Sequence, residues 1–404
     1  MAARLLSSLA SDQLEGRRVL VRADLNVPLR DGTVADDTRI RASIPTLDLL
    51  TGAGASVILL SHLGRPGGAV DPDFSLAPVA DRLEELAQGR VAFVPATVGP
   101  EVQERVASLE PGEILLLENT RFLPGETAND PELAAAWAGL GQVFVNDAFG
   151  TAHRAHASTV GVAEILPAYA GLLMEREIRN LSALLENPRK PFAAIIGGAK
   201  VSDKIQVLDT LLEHVDKLLI GGGMANTFLV AQDYTVGKSL LEKDRVEDAK
   251  RIMKTAEKKG VGLVLPTDVL VAKEVTRGAE HKIVPVKKIP NSWSAVDIGP
   301  ESREAFEAAL ADAMTVVWNG PMGVFEVPTF GDGTRGMARM LADRVDAGAS
   351  VVVGGGDSVA AIEELGLTSR FTHISTGGGA SLEFLEGKEL PGIKVLQDRS
   401  EAIA

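Results

Sequence analysis

The sequence contains no cysteine in 404 residues. That absence excludes disulfide bonds, thiolate metal centres, iron–sulfur clusters and a cysteine nucleophile, although it does not identify a cellular compartment. The chain also lacks any apolar run of about 18 residues, the length needed to cross a bilayer. Residues 1–10 show no cleavage pattern of a secretory signal. These absences predict a cytoplasmic protein that is not embedded in a membrane.

Positive charge is in the minority. Lysine and arginine number 41 against 55 aspartates and glutamates, which gives a formal net charge of −14 and a pI near 5.0. This balance argues against a protein that binds nucleic acid or a membrane surface through its overall charge. An anionic substrate would therefore require a local cationic pocket. With 45% apolar residues, a chain of this length predicts two domains.

Glycine is abundant, and its placement is more informative than its number. In the second half of the chain, five apolar runs of strand length each lead into a glycine-containing loop, at 192–196, 218–220, 315–318, 351–353 and 373–375. A helical pattern follows most of these loops. The clearest helical face consists of Ile205, Leu208, Leu211, Leu212 and Val215. A repeated strand, glycine loop and helix predicts a doubly wound parallel sheet, whose ligands bind at the carboxyl ends of the strands.

The first half repeats this alternation of strand and loop, but its loops contain arginine and histidine. Its apolar runs are 19–22, 57–60, 114–117 and 143–145. The basic residues in and around the following loops are Arg22, Arg39, Arg65, Arg121, Arg154, His62, His153 and His156. Arginine suits phosphate and carboxylate because its guanidinium is planar and always charged. Taken singly, each arginine is also consistent with a surface residue, and the histidines with metal ligation. Together they predict a cationic crevice.

A helix is predicted to connect the two halves. The pattern at 172–185 is amphipathic, and Asn187 and Pro188 end it. A helix in this position is suited to transmit a hinge motion. The predicted fold class is α/β, with two Rossmann-like doubly wound parallel-sheet domains joined by a helix and a cleft between them. The predicted domain limits are 1–171, 172–385 and a C-terminal segment, 386–404.

The glycine loops of the second half predict phosphate binding. Unpaired N–H groups at a helix N-terminus attract phosphate oxygens, because the helix dipole is positive there. Lys200 and Lys204, four residues apart, are predicted in the first turn of one helix. Asp357, after a triple glycine, is a candidate Mg²⁺ ligand, since Mg²⁺ binds few carboxylates and shares its shell with phosphates. One glycine run also arises from turns or packing alone, whereas five at one sheet edge predict a nucleotide site.

Three well-known nucleotide-binding motifs are not present in the sequence. Gly237, Lys238 and Ser239 resemble the end of a Walker A loop, but Gln232 stands where that motif requires glycine. The H-R-D and D-F-G motifs of protein kinases do not occur. No G-x-G-x-x-G follows the first strand, which argues against a dehydrogenase. The alternatives that stay open are a dehydrogenase using both halves, which would bind nicotinamide, and a non-catalytic receptor for phosphorylated acids, which would not need a glycine-lined crevice.

As a set, the loops resemble those of the phosphoglycerate kinase family over nearly the whole chain. Segments 22–28, 61–66, 118–122 and 146–156 resemble the family's acid-substrate loops. Segments 197–204, 221–224, 318–326, 354–358 and 375–381 resemble its nucleotide loops. The resemblance implies reversible phosphoryl transfer between 1,3-bisphosphoglycerate and ADP, giving 3-phosphoglycerate and ATP, in glycolysis and gluconeogenesis.

The resemblance also implies roles for particular residues. It places the acid in the first domain, on Arg22, Asp24, Asn26, Arg39, His62, Arg65, Arg121, His153, Arg154 and His156. It places ADP or ATP in the second, on Lys200, Lys204, Gly222, Gly223, Ala295, Asn319, Pro321, Val324, Glu326, Gly354, Gly355, Gly356, Asp357 and Ser358. The residues implied to act on the phosphoryl group are Arg39, Lys200, Gly377, Gly378 and Gly379, with Asp357 on Mg²⁺. It further implies a monomer, with 386–404 returning to the first domain.

Two positions depart from the family's pattern. Ala295 stands where the family commonly has glycine, so we expect it to crowd the nucleotide base and change affinity. Ser358 replaces a common threonine and keeps the hydroxyl.

The acceptor carboxylate titrates near pH 4 and needs no general base. Arginine, lysine, backbone amides and Mg²⁺ therefore suffice to position the reactants and balance their charge, and we expect the two domains to close around both substrates.

Overall fold

The computed structural model describes residues 3–397. Within that range the chain forms two compact units, one made of 3–179 with 389–397 and the other of Asn180–Lys388. The end of the predicted C-terminal segment, 398–404, lies outside the described residues.

The first unit is built on a parallel sheet. Its strands are β1 Arg18–Ala23, β2 Leu29–Arg30, β3 Thr33–Val34, β4 Ser56–Leu60, β5 Val91–Val94, β6 Ile114–Leu117, β7 Val143–Asp147 and β8 Ala168–Ala170. Its helices are α1 Thr38–Gly52, α2 Ala77–Leu86, α3 Pro100–Ala107, α4 Pro131–Ala138, α5 Val162–Ile165 and α6 Leu172–Glu186, the last running into the second unit. Six strands pair in the order β5-β6-β4-β1-β7-β8, while β2 and β3 form a separate antiparallel pair. Strands β4, β6 and β7 are buried along their whole length, as is typical of parallel sheets covered by helices.

The second unit repeats the plan and adds a small sheet. Its strands are β9 Phe192–Ile196, β10 Lys217–Ile220, β11 Gly262–Val264, β12 Asp268–Ala272, β13 His281–Pro285, β14 Ser294–Ile298, β15 Thr315–Asn319, β16 Ser350–Gly354 and β17 His373–Ile374. Its helices are α7 Ile205–Leu211, α8 Ala225–Ala231, α9 Val246–Lys259, α10 Pro300–Leu310, α11 Asp332–Asp346, α12 Gly356–Glu364 and α13 Gly379–Leu385. The parallel order is β11-β10-β9-β15-β16-β17, and β13-β12-β14 is antiparallel.

A short helix, α14 Pro391–Lys394, belongs to the first unit. The carbonyl of Leu396 accepts a hydrogen bond from the backbone N–H of Arg4 at 2.8 Å. The Asn146 side chain, at the end of β7, donates to the carbonyl of Gly392 at 3.2 Å. These contacts attach residues near the C-terminal end of the described chain to the first sheet.

Each unit has its own apolar core. Val19, Leu47 and Val57 are buried in the first, between β1, α1 and β4. Ile195 and Trp318 are buried in the second, on the adjacent strands β9 and β15. The apolar runs read from the sequence are therefore the interior of the two sheets.

The predicted parallel α/β fold is confirmed, and the helix expected at 172–185 is α6. The antiparallel sheet β12–β14 was not predicted, because β13 is largely exposed and carries no alternating apolar pattern. The helical face drawn through Leu212 and Val215 extends too far, since α7 ends at Leu211.

Candidate active site

The loops after β1 and β4 are tied together in the first unit. The Asn26 side-chain oxygen accepts a hydrogen bond from the backbone N–H of Gly64 at 2.8 Å. The hydroxyl of Ser61 accepts from the N–H of Leu25 at 2.9 Å. Both loops lie at the carboxyl ends of adjacent parallel strands, the edge where ligands of such sheets bind.

Four arginines, Arg39, Arg65, Arg121 and Arg154, surround these loops, and we call them the cationic cluster. Arg39 is the second residue of α1. Its guanidinium donates to Asp24 Oδ2 at 3.1 Å and to the carbonyl of Asn26 at 3.2 Å. The side chain remains 35% exposed, so one carboxylate orients the cation without covering it.

Arg121 is the most buried member of the cluster. It lies in the short turn Thr120–Phe122, whose start is capped by the side chain of Asn119. Its guanidinium donates to the carbonyl of Gly64 at 2.8 Å. Burial, together with the charges of Arg22 and Arg154, lowers the pKa of Arg121 to about 10. The residue therefore stays cationic near neutral pH.

Arg65 and Arg154 are exposed. The Nε–H of Arg154 donates to Nε2 of the adjacent His153 at 3.1 Å. These side chains can reach an anion without first leaving a buried partner. The cluster thus combines two held arginines with two accessible ones.

Arg22 is not part of this surface. Its side chain is completely buried, and it donates to Ser158 Oγ at 2.8 Å and contacts His62 Nδ1 at 3.0 Å. Burial lowers the pKa of Arg22, against the opposing effect of Glu126 and Asp24. The prediction that Arg22 binds the acid directly is therefore not supported by its position beneath the loops.

His62 and His156 are buried as well. Burial, and then the charges of Arg22, Arg121, Arg39 and His156, hold the pKa of His62 well below 6.5. His62 is accordingly a neutral ring near neutral pH. His156 is 4% exposed, and its Nδ1 lies 3.6 Å from Glu126 Oε1, so it faces a buried carboxylate.

Glu126 is a residue that sequence reasoning missed. It is fully buried and accepts hydrogen bonds from the backbone N–H and the hydroxyl of Ser158 at 2.9 and 2.6 Å. Burial alone would raise the pKa of Glu126, but His156, Arg22 and Ser158 lower it to about 2. It is thus the anion beneath the cationic cluster. Its sequence surroundings, a turn without a preceding strand, gave no signal of this role.

The second unit contains a cavity of about 480 Å³, which we call the glycine cavity. Seven residues expected at a nucleotide site line it: Gly222, Gly223, Ala295, Pro321, Val324, Glu326 and Asp357. Its wall also includes residues that were not predicted, among them Asn226, Lys238, Leu240, Asp297 and Met322. The segment 237–239, which fails as a Walker A loop, therefore contributes to the cavity through Lys238.

The wall of the cavity depends on close approach of backbones. Gly222 has φ +67°, and a Cβ there would lie 2.7 Å from the N and O atoms of Gly198 and 2.8 Å from the carbonyl oxygen of Pro321. Three glycine loops meet at this point. A side chain would push them apart, which explains why glycine precedes the helix here.

Lys204 lies behind the cavity rather than in the first turn of a helix. It is 8% exposed, and its ammonium donates to the backbone carbonyl of Asn319 at 3.1 Å and to the Asn319 side-chain oxygen. Burial lowers the pKa of Lys204 to about 8, against the charges of Asp203 and Asp357. Ser358 Oγ accepts from the N–H of Gly320 at 2.9 Å, which fixes the same loop.

The prediction that both lysines lie in a first helical turn is wrong. The helix begins at Ile205, and 201–204 form a turn instead. The Glu242 carboxylate accepts from the N–H and hydroxyl of Ser202 at 3.0 and 2.6 Å, and so holds the chain in that turn. Lys200 is left exposed.

Two further helices begin at predicted glycines. Gly355, with φ +90°, precedes α12, whose first turn carries the exposed Asp357. Gly378, with φ +52°, precedes α13. Among residues 3–397, no group of three or more histidines, aspartates or glutamates is arranged to hold a metal ion. No helix in that range is long and apolar enough to cross a membrane.

One parallel α/β unit carries clustered arginines, and the other carries a glycine-lined cavity beside a buried lysine. This combination is typical of a phosphotransferase that acts on small anions. A family model described as phosphoglycerate kinase matches residues 9–388. The chain belongs to the phosphoglycerate kinase family.

Individual relatives agree. A phosphoglycerate kinase from Fervidobacterium nodosum is 52% identical over 389 residues, covering 96% of this chain and 97% of the relative. One from Synechococcus sp. strain JA-3-3Ab is 56% identical over 411 residues, covering 98% and 100%. The structure of phosphoglycerate kinase from Coxiella burnetii aligns with a TM-score of 0.87 at 43% identity, covering 98% of this chain and 99% of that one.

The reaction follows from the family. The enzyme transfers a phosphoryl group reversibly between 1,3-bisphosphoglycerate and ADP, giving 3-phosphoglycerate and ATP, in glycolysis and gluconeogenesis. The acceptor in the ATP-consuming direction is a carboxylate, and the open alternatives of a dehydrogenase and a non-catalytic receptor are removed.

Proposed function

We propose that the cationic cluster binds 3-phosphoglycerate and 1,3-bisphosphoglycerate. The support is geometric: Arg39 and Arg121 are oriented by Asp24 and by the carbonyl of Gly64, while Arg65 is exposed. Preoriented guanidinium groups bind carboxylate and phosphate with little loss of side-chain entropy. Asn26 and His62 complete the site from the same two loops, with His153 and Arg154 at its side.

The glycine cavity is proposed to bind ADP and ATP. Its volume suits a nucleoside, and Val324 and Met322 give it an apolar wall for a base. Glu326 is an exposed carboxylate at the wall and is suited to accept from ribose hydroxyls. The N–H groups at the start of α12, around Gly356, are suited to the phosphates. Ala295 in the wall narrows the space for the base.

Phosphoryl transfer in this arrangement requires charge compensation and no base. The attacking carboxylate is ionised near neutral pH. Lys200 and Arg39 are proposed to stabilise the charge on the group in transfer, with the N–H groups at Gly377, Gly378 and Gly379 receiving it. Asp357 fits a Mg²⁺ ion that enters with the nucleotide, since it is exposed and lines the cavity. That ion would neutralise phosphate charge.

Direct transfer requires the two bound substrates to meet. We expect the units to close when both are bound, and small-angle X-ray scattering should show compaction with the pair of substrates and not with either alone. We also propose a cytoplasmic monomer. Sedimentation of the purified enzyme tests the monomer, and an unchanged scattering curve with both substrates would contradict closure.

The observation that carries these assignments is the separation of cations and glycine loops into different units. Crystals soaked with 3-phosphoglycerate alone, and others with ADP and Mg²⁺ alone, test it directly. We expect the acid against the cationic cluster and ADP in the glycine cavity. Both ligands in the same unit, or ADP outside the cavity, would contradict the proposal.

A further inference from the structure

A chain of hydrogen bonds runs beneath the cationic cluster. Arg22 donates through Nε to Ser158 Oγ at 2.8 Å, and Ser158 Oγ donates to Glu126 Oε1 at 2.6 Å. Another nitrogen of the same guanidinium lies 3.0 Å from His62 Nδ1, and a third donates to the carbonyl of Ala23. All three nitrogens of the Arg22 guanidinium therefore have a partner. Glu126 Oε1 lies 3.9 Å from Nη2 and balances the charge of Arg22.

This geometry decides the tautomer of His62. The guanidinium nitrogen of Arg22 that faces Nδ1 can only donate a hydrogen bond. His62 Nδ1 must therefore accept that bond and cannot carry a proton itself. The ring is surrounded by cations and buried, which keeps it neutral. A neutral imidazole with a bare Nδ1 carries its proton on Nε2. Among the described residues, none forms a hydrogen bond to that Nε2.

We infer that Arg22, Ser158 and Glu126 are positioning residues that hold His62 as an Nε2–H donor for the oxygens of phosphoglycerate. The inference rests on the proposed binding of the acid by the first unit. The ligand's carboxylate and phosphate offer acceptors, so a fixed neutral donor adds a directional hydrogen bond to a site otherwise dominated by charge. Arg22 thus acts through His62 and not on the substrate.

Nitrogen-15 NMR of histidine-labelled, substrate-free enzyme tests the tautomer, with the His62 signals identified by their loss in His62→Gln. We expect a protonated Nε2 and a bare Nδ1, unchanged between pH 6 and 8. A protonated Nδ1 or a charged ring would overturn the inference.

Ser158→Ala tests the chain of hydrogen bonds. The variant removes the acceptor that fixes Arg22 Nε, so the guanidinium can move away from His62 Nδ1 and we expect some of the other tautomer to appear. The KM for 3-phosphoglycerate should rise about 2- to 10-fold, the scale of one hydrogen bond, with kcat and the KM for ATP nearly unchanged. Ser56→Ala is the matched control, since the hydroxyl of this buried serine of β4 donates to the carbonyl of Glu110, away from His62. Glu126→Gln should have a larger effect of the same kind. If that variant does not fold, Ser158→Ala decides, and an unchanged tautomer and KM in it would overturn the inference.

Adding 3-phosphoglycerate to the wild type separates this inference from the function on which it rests. A shift of the His62 Nε2 signal supports both. The expected tautomer with no shift contradicts binding at His62, whereas the wrong tautomer in the free enzyme contradicts the positioning role alone.

Discussion

The two units are proposed to bind an anion in different ways. In the first, side chains are responsible: four arginines surround two tied loops, and the buried Glu126 beneath them balances the charge of Arg22. In the second, the backbone does it: glycine loops approach so closely that a Cβ at Gly222 has no room. The first site depends on charge and its compensation, and the second on the shape of the main chain. The same parallel α/β plan therefore supports two kinds of site, which should fail in different ways.

The largest expected effect is loss of a cation acting on the transferring group, one from each unit. Lys200→Ala and Arg39→Ala should each lower kcat by about 10² to 10³, the scale for one preorganised charge-stabilising group. Steady-state kinetics in the ATP-consuming direction measure this. Lys254→Ala and Arg41→Ala are matched controls, being exposed cations on helices of the same units. Near-normal turnover in both active-site variants would remove the proposed roles.

A smaller effect is expected from adding one methyl group to the glycine cavity. Gly222→Ala should raise the KM for ADP about 10- to 100-fold, because the loops of Gly198 and Pro321 must move. The KM for 3-phosphoglycerate measured at saturating nucleotide should change little.

The control for that variant is Gly366→Ala. Gly366 has φ +66°, nearly the same as Gly222, but a Cβ there meets nothing within 4 Å. Both variants incur the cost of left-handed backbone, so only the clash distinguishes them. Equal kinetic effects in the two variants would show that backbone strain, not the cavity wall, is responsible.

Sequence reasoning succeeded where the structure follows from a local pattern of residues. The strands before Gly197, Gly221 and Gly354 are apolar runs that end in glycine, so the sheet could be predicted from them, while the binding of a ligand at its edge stays a prediction. It failed where partners are distant along the chain. Nothing near Arg22 shows that its guanidinium turns inward, because the carboxylate that balances it, Glu126, lies about a hundred positions later.

The same reason explains the errors in the second unit. The turn that holds Lys200 outside a helix is fixed by Glu242, about forty residues further on. Lys238 reaches the cavity because 237–239 pack beside β14, where Ser239 Oγ accepts from the N–H of Ala295 at 2.8 Å. Long-range hydrogen bonds of this kind leave no periodic signal in the sequence.

Arg65→Ala tests whether the site in the first unit depends on charge. Its guanidinium is exposed, so the variant should fold with unchanged stability while the KM for 3-phosphoglycerate rises about 10-fold, as expected for one charge-assisted hydrogen bond. The KM for ATP should not move. Arg30→Ala, another exposed arginine of the first unit, is the control. An unchanged KM for the acid would make Arg65 an ordinary surface residue.

Each unit also contains a buried aspartate that holds the start of a helix. Asp147 accepts from the N–H groups of Leu173 and Met174 at 2.9 and 3.1 Å, and burial raises its pKa to about 6. Asp297 accepts from Gly333 and Ile298 at 2.7 and 2.9 Å, and burial raises its pKa to about 7. Both pKa values lie above the unfolded value of about 3.9. The folded state therefore binds more protons than the unfolded state over these intervals, and stability should fall as pH rises through them.

The smallest predicted effect is a difference between the two aspartates in the pH at which their loss of stability levels off. Below about pH 4 both carboxyls are protonated in either state, so each contributes its full stability. The loss from Asp147 levels off around pH 6, whereas that from Asp297 levels off around pH 7. Calorimetric Tm values from pH 5 to 7 should therefore fall less steeply in Asp297→Asn than in wild type over the whole range. In Asp147→Asn the slope should differ mainly below about pH 6. A constant Tm offset from wild type in both variants, parallel from pH 5 to 7, would mean that both carboxyls are already ionised at pH 5 in the folded enzyme and that neither pKa is raised.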